Sequence, residues 1–237
     1  VHGDTPNVVE ILEEIHDRIR ARVGEEVPLV TKVPAETERP WFVDEHLTRE
    51  EGLDLAEFLE GVGYDALVPV RTSVFWDMNL IRGRFPDRAW SDEQFEGGYA
   101  AAFGGRVARW IVEYANWFHS WGATYEPVWN REYVRLVKER VEVPVLAVGG
   151  IRKRSQIDDL LREGHCDLVG MGRPFYAEPK LPARLLGGVP PGTGALCENC
   201  NNCTVPQVTD EPGRCRTPSV VRERARRERD GAYETGR

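Results

Sequence analysis

Four cysteines fall within nineteen residues, Cys197, Cys200, Cys203 and Cys215, in the pattern C-x2-C-x2-C-x11-C. Thiolates are soft donors, and four of them suit an iron–sulfur cluster or a tetrahedral zinc ion. The first three, closely spaced, can each take one corner of a cubane, and the later one closes the fourth. A four-cysteine zinc site draws on the same donors, but usually as two C-x2-C pairs set well apart. Free thiols are the third reading, and a disulfide does not suit a reducing compartment. The fifth cysteine, Cys166, stands in an apolar, strand-like stretch and reads as a small core residue.

A second candidate chemistry lies just upstream. Two successive apolar runs end in glycine, "AVGGIR" and "GMGRPF". Glycine at the C-terminal end of a strand lets main-chain N–H groups approach an anion closely. Gly149 and Gly150 would line one such loop, and Gly172 the next. Arg173 adds a guanidinium fork matched to phosphate oxygens. Against this stands the plainer reading that the glycines only permit tight turns.

The elements that must position these residues alternate between helix and strand. "TPNVVEILEEIHDRIRARVG" predicts a helix with Thr5 as N-cap, Pro6 in the first turn and an apolar stripe of Val8, Ile11, Leu12, Ile15 and Ile19. A buried parallel strand is expected over 27–33. Thr48 and Glu51 form a capping box ahead of the next helix. A second strand is expected over 65–70, weakened by Pro69. Residues 71–125, rich in Trp, Gly and Arg, read as a long, partly helical insertion. Helix 131–141, strand 143–150, helix 155–164, strand 167–172 and helix 179–188 then follow. Alternation of this kind implies an α/β fold with a parallel sheet. It fits a doubly wound sheet or part of a (β/α)8 barrel.

Composition narrows the function classes. The 237 residues carry a net charge of −8, which argues against a general nucleic-acid binder. Lys32, Lys138, Lys153 and Lys180 are the only lysines. No run approaches the roughly 20 apolar residues of a membrane span. "VHGDTPNVVEILEE" has neither a basic nor an apolar leader region, so a cytoplasmic protein is expected. The alternating charges of "RERARRERDG" suit a solvated helix over the tail, 219–237.

The stretch "VPVLAVGGIRKRSQIDDLLREGHCDLVGMGRPFYAEPKLPARL" resembles the last two βα units of the old yellow enzyme-like NADH:flavin oxidoreductases. The cysteine segment resembles the branch containing 2,4-dienoyl-CoA reductase and trimethylamine dehydrogenase. The likeness covers 126–218 well, and 1–35 and 50–70 loosely. It implies the second half of an FMN-binding barrel, about four βα units over 1–188, with 71–125 inserted, followed by a cluster-binding segment at 189–218. It implies FMN, NAD(P)H as electron donor, a small-molecule substrate and a [4Fe–4S] cluster on the four cysteines. Gly149, Gly150, Gly172 and Arg173 match the family's FMN phosphate contacts. Lys32, in "LVTKV", matches the basic residue beside the flavin ring, where the family usually has Arg.

The family's catalytic residues lie mostly on the first half of its barrel, so the resemblance supplies no catalytic acid or base here. His16 and His165 read as structural or surface residues. His119, Tyr125 and Trp129 are candidate pocket residues, with plain packing the competing reading. Half a barrel exposes sheet edges. The expectation is therefore a homo-oligomer, or a partner chain supplying the first four strands. Two competing readings stay open: a zinc-stabilised, phosphate-binding scaffold without redox chemistry, and an inactive fragment.

Overall fold

The computed structural model describes residues 5–39, 41, 44–72, 82–91, 93–102, 104–187, 189–190, 192–203 and 213–234. The chain forms two compact units that interleave in sequence. The first holds Val1–Asp77, Val128–Gly150 and Ile157–Gly170; the second holds Met78–Pro127, Ile151–Gln156 and Met171–Arg237.

In the first unit, helix α1 (Thr5–Val23) leads into β1 (Val30–Ala35), α2 (Arg49–Val62) and β2 (Ala66–Arg71). Thr48 caps α2 as its spacing predicts: the Glu51 amide donates to Thr48 Oγ1 at 3.2 Å, and the Thr48 amide donates to Glu51 Oε2 at 2.8 Å. Gly63 closes α2 in the left-handed conformation, φ 108°. β1 pairs with β2 in parallel, Val33 opposite Pro69. Proline is tolerated in β2 although it has no N–H to give, and its carbonyl accepts from Asn130 Nδ2 at 2.8 Å.

After α6 (Arg131–Arg140) come β3 (Leu146–Val148), α7 (Arg154–Arg162) and β4 (Leu168–Gly170), with β3 and β4 parallel. The first turn of α7 belongs to the second unit. A parallel bridge between Leu67 and Val145 links the two strand pairs. The strands therefore run β1-β2-β3-β4, each beside its neighbour in sequence. Val33, Leu59, Leu67, Val137, Val145 and Leu160 are fully buried between strands and helices. Each contributes about 1.5–3 kcal/mol of apolar burial. β3 and β4 are shorter than their apolar runs suggest, three residues each.

One expectation is corrected. The predicted apolar stripe of α1 is not its buried face, since Ile11, Ile15 and Ile19 stand 54%, 44% and 39% exposed. α1 packs instead through His16 and Arg20, both buried. His16 Nε2 lies 3.3 Å from the Gly63 carbonyl, and Arg20 donates to the Val27 carbonyl at 2.7 Å. Polar partners on neighbouring loops outweigh the helical period here. The side chain of Val8 lies outside the described residues, as do those of Thr5 and Pro6.

The second unit contains α3 (Asp87–Trp90), α4 (Glu93–Ala102), α5 (Arg106–His119), α8 (Arg173–Ala177), α9 (Leu181–Leu186) and α10 (Pro218–Arg229). The expected insertion is helical through α3–α5. Trp110, Tyr114, Trp117 and Trp121 form a run of neighbouring rings on α5 and just beyond it, at centroid spacings of about 6 Å, and all four are exposed. The helix expected over 179–188 is α9, shorter than expected, and a separate short helix, α8, precedes it; each has proline in its first turn. Among the described residues no helix is long and apolar enough to cross a membrane.

Candidate functional site

Cys197, Cys200, Cys203 and Cys215 line one pocket of the second unit, together with Arg173, Tyr176, Thr217 and Val220. The loop "CENCNNC" achieves this by turning back on itself. Asn199 and Asn201, on either side of Cys200, adopt left-handed backbone at φ 62° and 57°. Asparagine tolerates that region better than most residues, which explains its use at both positions.

The loop is pinned by Gly83 and Arg84. The Arg84 amide donates to the Asn199 carbonyl at 2.9 Å, and Asn201 Nδ2 donates to the Arg84 carbonyl at 3.2 Å. Gly83 permits this approach: a Cβ there would sit 2.7 Å from the Asn199 carbonyl oxygen. Arg173 Nη1 donates to Asn201 Oδ1 at 2.6 Å.

Burial sets the electrostatics of the pocket. It pushes the Cys203 thiol up to about 12, with the charge of Cys197 adding to the effect, and it raises Cys215. It also lowers the pKa of Arg173, against the pull of the cysteines around it. Cys203 and Cys215 thus hold their protons at neutral pH, and a metal must displace them to bind. Cys200 Sγ and Thr217 Oγ1 are 2.9 Å apart. Among the described residues no three His, Cys, Asp or Glu side chains converge at the spacing of a single metal ion.

Two polar clusters brace the pocket, and of their members sequence reasoning singled out only Tyr125. Arg152 lies with its guanidinium 4.1 Å above the Tyr125 ring and its Nη2 3.8 Å from Cys197 Sγ. Gln156 ties this arrangement together: its Oε1 accepts from the Arg152 amide at 2.8 Å, and its Nε2 donates to the Tyr125 hydroxyl at 3.1 Å. The second cluster centres on Glu178, which is 0% exposed. Its carboxylate accepts from Arg184 Nε and Nη2 at 2.9 Å each, from the Leu196 amide at 2.6 Å and from the Tyr233 hydroxyl at 2.9 Å. Leu196 directly precedes Cys197, so Glu178 fixes the start of the cysteine loop. The available signal was an acidic residue in an otherwise apolar stretch, which demands a partner when buried.

The other sequence-derived candidates divide between the units. Lys32, Gly149 and Gly150 lie in the first, Gly172 and Arg173 in the second. Lys32 is exposed on β1, between flanking positions of which Val33 is buried. Gly149 (φ 131°) and Gly150 (φ 68°) both need left-handed backbone. A Cβ on Gly149 would also meet Asn130 and Trp129 at 2.9 Å, so packing alone demands glycine there and accounts for Trp129. Gly172, ahead of α8, has open space where a Cβ would stand. Cys166 is buried, as its context suggested, and burial raises its pKa. The side chain of His119 lies outside the described residues.

Comparison with known protein families reaches part of these residues and stops short of Cys197. Residues 102–191 match the NADH:flavin oxidoreductase / NADH oxidase family. Over 175 residues the chain is 25% identical to the NADH oxidase of Thermoanaerobacter brockii, covering 74% of this chain and 20% of that protein. A 72-residue stretch is 33% identical to the bilirubin reductase of Mediterraneibacter gnavus, 30% of this chain and 11% of that one. The solved complex of 2-naphthoyl-CoA reductase with 2-naphthoyl-CoA superposes at TM-score 0.59 and 20% identity, over 93% of this chain and 27% of that chain. At that identity the likeness is one of fold. The chain spans a fifth of the length of the NADH oxidase. The similarity to the NADH:flavin oxidoreductase / NADH oxidase family extends over residues 102–191.

Proposed function

We propose that this chain is the FMN-binding and cluster-carrying part of an NAD(P)H-dependent flavin oxidoreductase. The observation that carries the reading is the pocket lined by Cys197, Cys200, Cys203 and Cys215, just beyond the family-matched segment 102–191. The sequential strand order β1-β2-β3-β4 supports part of a (β/α)8 barrel, because a doubly wound sheet reverses direction at its switch point.

The cysteine spacing supports a [4Fe–4S] cluster over zinc, which usually takes two C-x2-C pairs set well apart. A structural zinc draws four sulfurs to about 2.3 Å from one ion. A cubane seats each thiolate on a different iron and needs no such convergence. When bound, FMN supplies hydride chemistry and the cluster single-electron transfer. The chain's own contribution is to hold them. The four cysteines are proposed as cluster ligands. For FMN the proposed residues are Lys32, which brings positive charge, Gly149, Gly150 and Gly172, whose lack of a Cβ lets an anion approach the main chain, and Arg173. A small-molecule substrate, a cytoplasmic setting and association with a second copy or a partner chain complete the proposal.

Anaerobic purification followed by iron, sulfide, zinc and flavin analysis tests it. The expected result is about four irons per chain with broad visible absorption. Cys203→Ser should lose both. One zinc and no flavin would favour the scaffold reading. A colourless, metal-free chain that neither reconstitutes nor binds FMN would overturn the proposal.

A further inference from the structure

We propose that Arg152 is a positioning residue that donates a hydrogen bond to the Cys197 sulfur and holds the cluster's reduction potential up. The inference rests on the cluster reading above. Arg152 Nη2 stands 3.8 Å from Cys197 Sγ, within hydrogen-bonding reach of a sulfur acceptor. Its guanidinium is held there by the face of Tyr125, 4.1 Å away. Tyr125 is fixed in turn by Gln156, which also accepts from the Arg152 amide. A planar cation stacked on a ring and anchored at its own backbone loses little further freedom on engaging the sulfur.

The other polar groups at the pocket are differently committed. Arg173 also carries its charge among the cysteines, but its Nη1 is bonded to Asn201, and Cys200 faces the neutral Thr217 hydroxyl. Arg152 therefore brings a full positive charge directly to a ligand sulfur. One-electron reduction adds one negative charge to the cluster and neither makes nor breaks a bond. A cation and an N–H donor beside the sulfur favour the more negative state, so the potential rises.

The test is a dithionite titration of the full chain under anaerobic conditions, followed by electron paramagnetic resonance, for wild type, Arg152→Gln, Arg152→Lys and Tyr125→Leu. At the wild-type midpoint, Arg152→Gln should lower the reduced-to-oxidised ratio about tenfold, a fall of about 59 mV for one electron. Arg152→Lys keeps the charge without the planar stack, and Tyr125→Leu frees the guanidinium; both should fall by less. An unchanged midpoint in Arg152→Gln with its iron retained overturns the inference and leaves the cluster reading standing. If Arg152→Gln loses its iron, wild-type midpoints in both other variants overturn it. A wild-type chain that takes up no iron overturns both readings.

Discussion

Glu178 offers the sharpest perturbation of the candidate site. Its carboxylate is fully buried and serves Arg184, itself 5% exposed, together with the Leu196 amide and the Tyr233 hydroxyl. Glu178→Ala leaves the Arg184 charge buried without its partner, at about 3–5 kcal/mol. The orphaned amide and hydroxyl each add about 1 kcal/mol. That loss rivals the whole stability of an ordinary domain, about 5–15 kcal/mol, so the second unit should fail to hold its fold. A graded series keeps the reasoning measurable. Tyr233→Phe removes one hydrogen bond, about 1 kcal/mol, and should lower Tm by about 2–4 °C. Glu178→Met with Arg184→Met replaces both charges by apolar groups and should recover most of what Glu178→Ala loses. Urea and thermal melts by circular dichroism read all three. Iron content after reconstitution should follow the melts, because Leu196 leads directly into Cys197. Glu178→Ala within about 1 kcal/mol of wild type, or a double variant no better than the single one, would refute the argument.

Two further outcomes follow. Asn130 is buried, and its Nδ2 donates to the Pro69 and Val148 carbonyls at 2.8 and 3.1 Å; Asn130→Ala should cost the first unit about 1–3 kcal/mol in a urea melt. Burial, and then the hydrogen bond to Glu178, push the Tyr233 hydroxyl from 10.0 up to about 12. A pKa raised by folding gives stability that is complete below the unfolded value and lost as pH rises through the folded one. The Tm gap between wild type and Tyr233→Phe should be full at pH 8 and close between about pH 10 and 12, and a gap that widens over that window would contradict the assignment.

The parts of this protein legible in its sequence are those governed by neighbours along the chain. The capping box at Thr48 and Glu51 and the alternation of helix and strand depend on residues a few positions apart. The helical character of residues 87–119 was legible for the same reason. Strand ends were not, because β3 and β4 stop where pairing stops rather than where apolar residues do.

The cysteine spacing by itself determined that Cys197, Cys200 and Cys203 would lie close together, since two residues between thiols leave the chain little room to separate them; that Cys215 joins them was decided by the fold. The glycines at 149 and 150 announced left-handed backbone in the same local way. Only the tertiary structure decided what surrounds the thiols. Arg152 and Cys197 are 45 positions apart, and Arg84 reaches the loop from more than 110 positions upstream. The buried face of α1 was decided there too, because His16 and Arg20 found carbonyl partners that no helical period encodes. A periodicity records which residues share a face. Which face is buried, and which charge meets which sulfur, depends on chain segments brought together only by folding.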